Sequence, residues 1–340
     1  MRKVRLTPGP VVVDVVGTTL AEEDLARIRH PAAGAVILFA RNYESPAQLA
    51  ALCEDIQRQR EPELPICVDH EGGRVQRFKE GFTLIPPMRH LGKLWDRDRE
   101  KGRAAAAAIG YVIAAELGAH GLDFSFTPVL DLDYGGSSVI GDRALHFDPT
   151  AVGALGACLV KGLAQGGVGA VAKHFPGHGY AEADSHVAVP RDERSFREIA
   201  RKDIVPYKAV IEAGLAGVMP AHVIYPQVDS QPAGYSPHWL QEVLRKQLGF
   251  QGIVFSDDLS MEGAAVAGGP PERARAAMQA GCDMVLLCNN PVGLDALLQS
   301  LGEVPMANPE RLDRMRKQGG RDLRKSVAYR DAQEALQSLG

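Results

Sequence analysis

Chemistry-bearing side chains gather in four short segments of this 340-residue chain. The first reads Asp69-His70-Glu71-Gly72-Gly73-Arg74. The second, Lys173-His174-Phe175-Pro176-Gly177-His178-Gly179, runs on to Asp184-Ser185-His186. The third is Pro220-Ala221-His222 and the fourth Phe255-Ser256-Asp257-Asp258. A carboxylate can attack an electrophilic carbon or take a proton, and an imidazole with an ordinary pKa of about 6.5 can move a proton either way at neutral pH. Asp184, two residues from His186, can orient that ring and favour its protonated form. Single residues leave alternatives open. Asp257 alone could cap a helix after a strand, and Asp258 competes with it. His174 and His178 have the spacing of a helical zinc pair and, with Asp184 and His186, could serve a metal-dependent hydrolase. Pro176 and Gly177 interrupt that helical geometry. Lys173 could form a Schiff base, and His222 could line a pocket or cap a strand.

Eight apolar, strand-like runs place these segments: 11–16, 34–39, 65–69, 123–128, 169–174, 217–220, 252–257 and 283–287. Stretches with helical spacing, such as 103–120 and 195–213, separate them. Continuous strand-like runs alternating with helices predict a parallel sheet covered on both faces. Eight repeats predict an α/β fold of the (β/α)8 TIM-barrel type, although an open sheet would show the same alternation. The polar segments follow runs three, five, six and seven, where a barrel collects its catalytic groups. Gly34, Gly169, Gly217 and Gly252 are expected to supply left-handed turns at helix ends. A single domain over 1–340 is expected, with a helical extension over about 305–340 that Gly319-Gly320 interrupts.

The longest motifs carry a family resemblance. Residues 173–179 with Asp184-Ser185-His186, the segment Phe255-Ser256-Asp257-Asp258-Leu259-Ser260-Met261, and Asp69-His70-Glu71-Gly72-Gly73-Arg74-Val75-Gln76-Arg77 resemble glycoside hydrolase family 3. The likeness is to its β-N-acetylhexosaminidase branch, which acts in bacterial cell-wall recycling. Phe126-Thr127-Pro128-Val129-Leu130-Asp131 and Gly141-Asp142-Arg143 also fit, in order, from about Val36 to Glu262. The resemblance implies Asp257 as nucleophile, His186 as acid/base and Asp184 as the residue orienting it. Asp69, Arg77, Arg143, Lys173 and His174 are implied as sugar contacts. It further implies retaining cleavage of terminal β-linked N-acetylglucosamine from peptidoglycan fragments through a glycosyl-aspartate, without metal or organic cofactor. His70 stands where close relatives often have Gln, so a changed contact near the sugar is expected. Many members add a second domain supplying an acid/base Glu; here a local acid/base is expected instead.

These residue types suit that reaction. Glycoside cleavage needs a carboxylate at the anomeric carbon and a proton donor at the leaving oxygen. A histidine becomes neutral on giving up its proton, so an anionic acceptor such as phosphate could also enter. The segment 175–190 is long for a βα loop and is expected to close over substrate.

Composition narrows the remaining choices. Hydrophobic residues make up 45%, enough for one large core, and the net charge of -4 gives no nucleic-acid footprint. The five cysteines include no Cys-x-x-Cys pair. Cys67, Cys282 and Cys288 lie in apolar runs, so reduced core thiols and a cytoplasmic compartment are expected. Asp14 interrupts the apolar run after Arg2, Lys3 and Arg5, against an export signal, and no stretch is long enough to span a membrane. A monomer acting on a small saccharide is expected. Trp95 and Trp239 read as packing residues, His30, His90, His120 and His238 as surface residues, and the charges over 311–325 as a solvated helix face. Gly72-Gly73 lacks the Lys-Ser/Thr of a phosphate loop.

Overall fold

Eight parallel strands close into a barrel in the computed structural model, which describes residues 3–181, 189–319 and 322–337. They are β1 (Val11–Asp14), β2 (Ala33–Leu38), β3 (Ile66–Val68), β4 (Phe124–Ser125), β5 (Gly169–Phe175), β6 (Gly217–Pro220), β7 (Ile253–Asp258) and β8 (Met284–Leu286). Each pairs with its neighbour in sequence, and β8 pairs with β1. The open-sheet alternative is thereby set aside. β4 is shorter than its apolar run, although Phe126 still donates to the Val68 carbonyl and the Thr127 and Pro128 carbonyls accept from β5. Strand alternation divides the apolar side chains into two layers. Val12, Ile37, Phe124, Phe126, Val171 and Phe255 fill the barrel, whereas Val11, Val13, Val36 and Val218 pack outward under the helices. Phe124, Phe126 and Phe255 meet pairwise at centroid distances of 5.3–5.5 Å, so the barrel is a packed core and not a channel.

Several local expectations need correction. The stretch 195–213 forms two helices, Phe196–Arg201 and Val205–Glu212. Pro206 falls in the first turn of the second, where its missing N–H costs nothing, and it could not have continued the first. Gly34, Gly169, Gly217 and Gly252 do not adopt left-handed backbone. Gly121, Gly167, Gly214, Gly249 and Gly281 supply those turns just upstream. Gly34 and Gly252 are instead close-approach sites, since an added Cβ would lie 1.9 Å from the Gly9 carbonyl and 2.2 Å from that of Ala216. His120 is buried; its ring donates to the Glu116 carbonyl (2.7 Å) and packs on Phe82. Trp95 and Trp239 are both buried in packing positions.

The charges over 311–325 are not one solvated helix. A short helix, Pro309–Asp313, leads into a segment that crosses the barrel floor, and a further helix spans Val327–Gln337. On the floor, Asp283, just before β8, accepts from Arg245 (2.8 Å), Arg311 (2.7 Å), Asn308 (3.1 Å) and the Val254 N–H (2.8 Å). Asp123, just before β4, accepts from the Ile66 N–H (2.8 Å) and the Lys317 N–H (2.9 Å). These carboxylates tie the C-terminal segment to the strand starts. No helix among the described residues is long and apolar enough to cross a membrane. The cysteines are free thiols, and Cys53, Cys67, Cys282 and Cys288 are buried.

Candidate active site

A cavity of about 510 Å³ opens at the C-terminal ends of the strands. Asp69, Arg77, Arg143, Lys173, His174 and Asp257 all line it, together with Glu71, His178 and Asp258. Segments almost 190 residues apart meet there because strands three, five and seven end on one side of the barrel.

One wall is an ion cluster. Lys173 at the end of β5 donates to Asp69 (2.6 Å) and lies 2.7 Å from Glu71. Arg143 forks onto both oxygens of Glu71 at 2.8 and 2.9 Å, and Arg77 reaches Asp69 at 3.4 Å. Burial opposes charge on Glu71, yet Arg143 and Lys173 hold its carboxyl well below the ordinary range. Burial likewise disfavours the Lys173 ammonium, and Asp69 and Glu71 keep its pKa raised. Both partners therefore stay charged at neutral pH, and the Lys173 amine is protonated, unsuited to Schiff-base attack. Glu71 received no role from the sequence. Its signal was parity: two residues beyond Asp69 on an extended segment, it faces the same side.

Asp257 stands at the end of β7. Its carboxylate accepts the Asp258 N–H (2.8 Å), and no ion pair holds it among the described residues. Burial opposes its ionisation, but His222 and His174 nearby keep its pKa lowered, so the carboxylate is charged and available. Asp258 is occupied. It accepts from the Ser260 N–H (2.9 Å), the Ser260 hydroxyl (2.8 Å) and the Cys288 N–H (3.0 Å), and burial pushes its pKa up to about 6. The two neighbours thus differ in kind, one a free anion and the other a loop brace. His222 is fully buried behind the strand end, with Nε2 donating to the Asp258 carbonyl (3.1 Å).

The third wall follows β5. His174 Nδ1 donates to Asp131 (2.6 Å), and the His178 N–H donates to the same carboxylate (2.6 Å). The His178 ring nitrogens are buried without a hydrogen-bond partner among the described residues, and the ring lies edge-on to His174 at 5.9 Å. Asp184 and His186, the expected acid/base pair, lie outside the described residues, as does the middle of the expected lid. The stems on either side are described. An added Cβ on Gly179 would lie 1.9 Å from the Leu132 carbonyl. Tyr180 stacks on the Arg194 guanidinium (4.2 Å), which also binds Asp192 (2.6 Å) and Asp203 (2.8 Å).

His70 departs from expectation. It does not line the cavity but is fully buried beside Phe78 and Phe82 at 5.8 and 5.7 Å, and burial lowers its pKa to about 3. At the opposite rim the structure adds residues that the motifs did not single out. Asn289 lines the cavity with φ of 57°, its N–H on Asp14 (2.9 Å) and its side chain on Arg41 (2.5 Å). No local signal marked it beyond the tolerance of Asn for left-handed backbone.

Comparisons with known proteins agree with this geometry. Residues 11–316 match the Glycosyl hydrolase family 3 N terminal domain. A β-hexosaminidase of Methylobacillus flagellatus is 57% identical over 98% of this chain and 95% of its own length. The crystal structure of NagZ from Neisseria gonorrhoeae in complex with N-trifluoroacetyl-D-glucosamine superposes with a TM-score of 0.94 at 46% identity, covering 99% of both chains. A zinc-ion complex of the same Neisseria protein gives a TM-score of 0.92 at 44% identity and equal coverage.

Proposed function

This chain belongs to glycosyl hydrolase family 3 and is a β-N-acetylhexosaminidase; from that premise we propose that it removes terminal β-linked N-acetylglucosamine from peptidoglycan fragments by a retaining mechanism. The observation that carries this is the placement of the Asp257 carboxylate, without an ion-pair partner among the described residues, in one cavity with Asp69, Arg77, Arg143, Lys173 and His174. The fork of Arg143 and the ammonium of Lys173 hold Asp69 and Glu71 in fixed positions. Those carboxylates, with Arg77 and His174, can then pair sugar hydroxyls whose loss would be costly in a buried site.

Asp257 attacks the anomeric carbon and forms a glycosyl ester while His186, oriented by Asp184, protonates the leaving oxygen. In the second step the imidazole takes a proton from water, which displaces Asp257 and restores the β configuration. A place in cell-wall recycling, and through it in cell shape and division, follows for this substrate class.

The test is mass spectrometry of protein incubated with a slow fluorinated N-acetylglucosaminide. A covalent hexosamine adduct on the Asp257 peptide is expected; an adduct elsewhere, or none with a turned-over substrate, would remove Asp257 as nucleophile. The same assay carries two further arms. Turnover with and without phosphate separates hydrolysis from phosphorolysis. Turnover after exhaustive chelation addresses a metal-dependent site at His174, His178, Asp184 and His186, which full activity would contradict.

A further inference from the structure

We infer that Asp131 is a positioning residue that fixes the tautomer of His174 and so decides what that ring offers the sugar. Asp131 is completely buried, ends the segment leaving β4, and does not line the cavity. Its two oxygens divide their work. Oδ1 accepts two backbone donors, the His178 N–H at 2.6 Å and the His174 N–H at 3.3 Å. Oδ2 accepts the His174 Nδ1–H at 2.6 Å. An ionised carboxylate can only accept, so the proton on His174 must sit on Nδ1. In the neutral ring Nε2 then carries a lone pair, and a sugar hydroxyl is the partner that fits it. The inference rests on the sugar-site reading above and adds to it a residue outside the cavity.

The same geometry foretells what an isosteric change does. In Asp131→Asn the two backbone donors hold the amide oxygen at the Oδ1 position. The amide NH2 must then face His174 Nδ1, which can pair with it only as an acceptor. The ring proton moves to Nε2, and the cavity meets a donor where it had an acceptor. The backbone bonds survive, so the fold is retained.

Two measurements test this. Ring-nitrogen NMR of 15N-histidine-labelled enzyme, with His174 assigned by its absence in His174→Ala, is expected to show Nδ1 protonated in the wild type and Nε2 alone protonated in Asp131→Asn. A wild-type His174 with a bare Nδ1 overturns the inference, even if the variant proves insoluble. In kinetics with 4-nitrophenyl N-acetyl-β-glucosaminide, Asp131→Asn is expected to lower kcat/KM roughly ten- to a hundredfold, the scale of a charged hydrogen bond. Adding it to His174→Ala is expected to cost nothing more; losses that multiply would make Asp131 merely structural. An inactive wild type would instead sink the proposed function, and the tautomer measurement does not depend on turnover.

Discussion

The two ends of this barrel use aspartate in opposite ways. At the floor, Asp123 and Asp283 precede their strands and are saturated: Asp283 alone engages two arginines, an asparagine and a backbone N–H. At the mouth, Asp69 follows β3 and Asp257 lies at the end of β7, both facing a cavity. Asp69 is held by Lys173 and Arg77, whereas Asp257 accepts one backbone bond and has no cationic partner among the described residues. Full pairing makes a buried charge a structural tie, whereas incomplete pairing leaves a charge for a substrate to meet. Activity and stability should therefore separate along the barrel axis, and each expectation below can break that division.

The largest effect belongs to the mouth. Asp257→Ala should lower kcat by at least about 10³-fold while its urea midpoint stays near wild type, because a carboxylate held by a single backbone bond contributes little to folding. A variant that loses activity only in proportion to its loss of fold would erase the contrast. At the floor the signs reverse. Asp283→Ala strands the guanidiniums of Arg245 and Arg311 and should cost about 3–5 kcal/mol of unfolding free energy, with kcat of the folded fraction unchanged. Denaturant titration and active-site-normalised kinetics check both halves.

Asp258 sharpens the comparison through pH. Its carboxyl has an ordinary value of 3.8 and is raised to about 6 by burial. The native state thus keeps a proton that the unfolded chain has released, so its contribution is present at low pH and is lost as pH rises through about 6. Asp258→Asn can preserve the Ser260 and Cys288 bonds without carrying charge. It should match the wild type near pH 4 and become more stable by on the order of 1–3 kcal/mol above pH 6. Parallel melting curves across that range would show that Asp258 is not the strained acid of the mouth. The smallest effect is expected for Arg311→Met, about 1 kcal/mol, since Arg245 still pairs Asp283 and Arg311 is partly exposed. A larger loss would make the C-terminal segment the principal clamp of the floor.

Eight apolar runs alternating with helices determined a parallel sheet covered on both faces, but closure into a barrel rather than an open sheet was decided by the pairing of β8 with β1. The polar residues after runs three, five and seven were legible because strand polarity places those ends on one face. Residue type and spacing left Asp257 and Asp258 equivalent, and left Glu71, Asp131 and Asn289 without roles. Tertiary structure decided these points. Asp258 is claimed by Ser260 and by Cys288 just after β8, and Asp131 by two histidines more than forty residues away. The C-terminal segment changed meaning likewise, from a solvated face to ties in which Arg311 pairs with Asp283 and the Lys317 backbone N–H binds Asp123. Sequence fixes which groups a chain can offer along each element, but pairing and desolvation depend on which other elements arrive, and that is set only when the barrel closes.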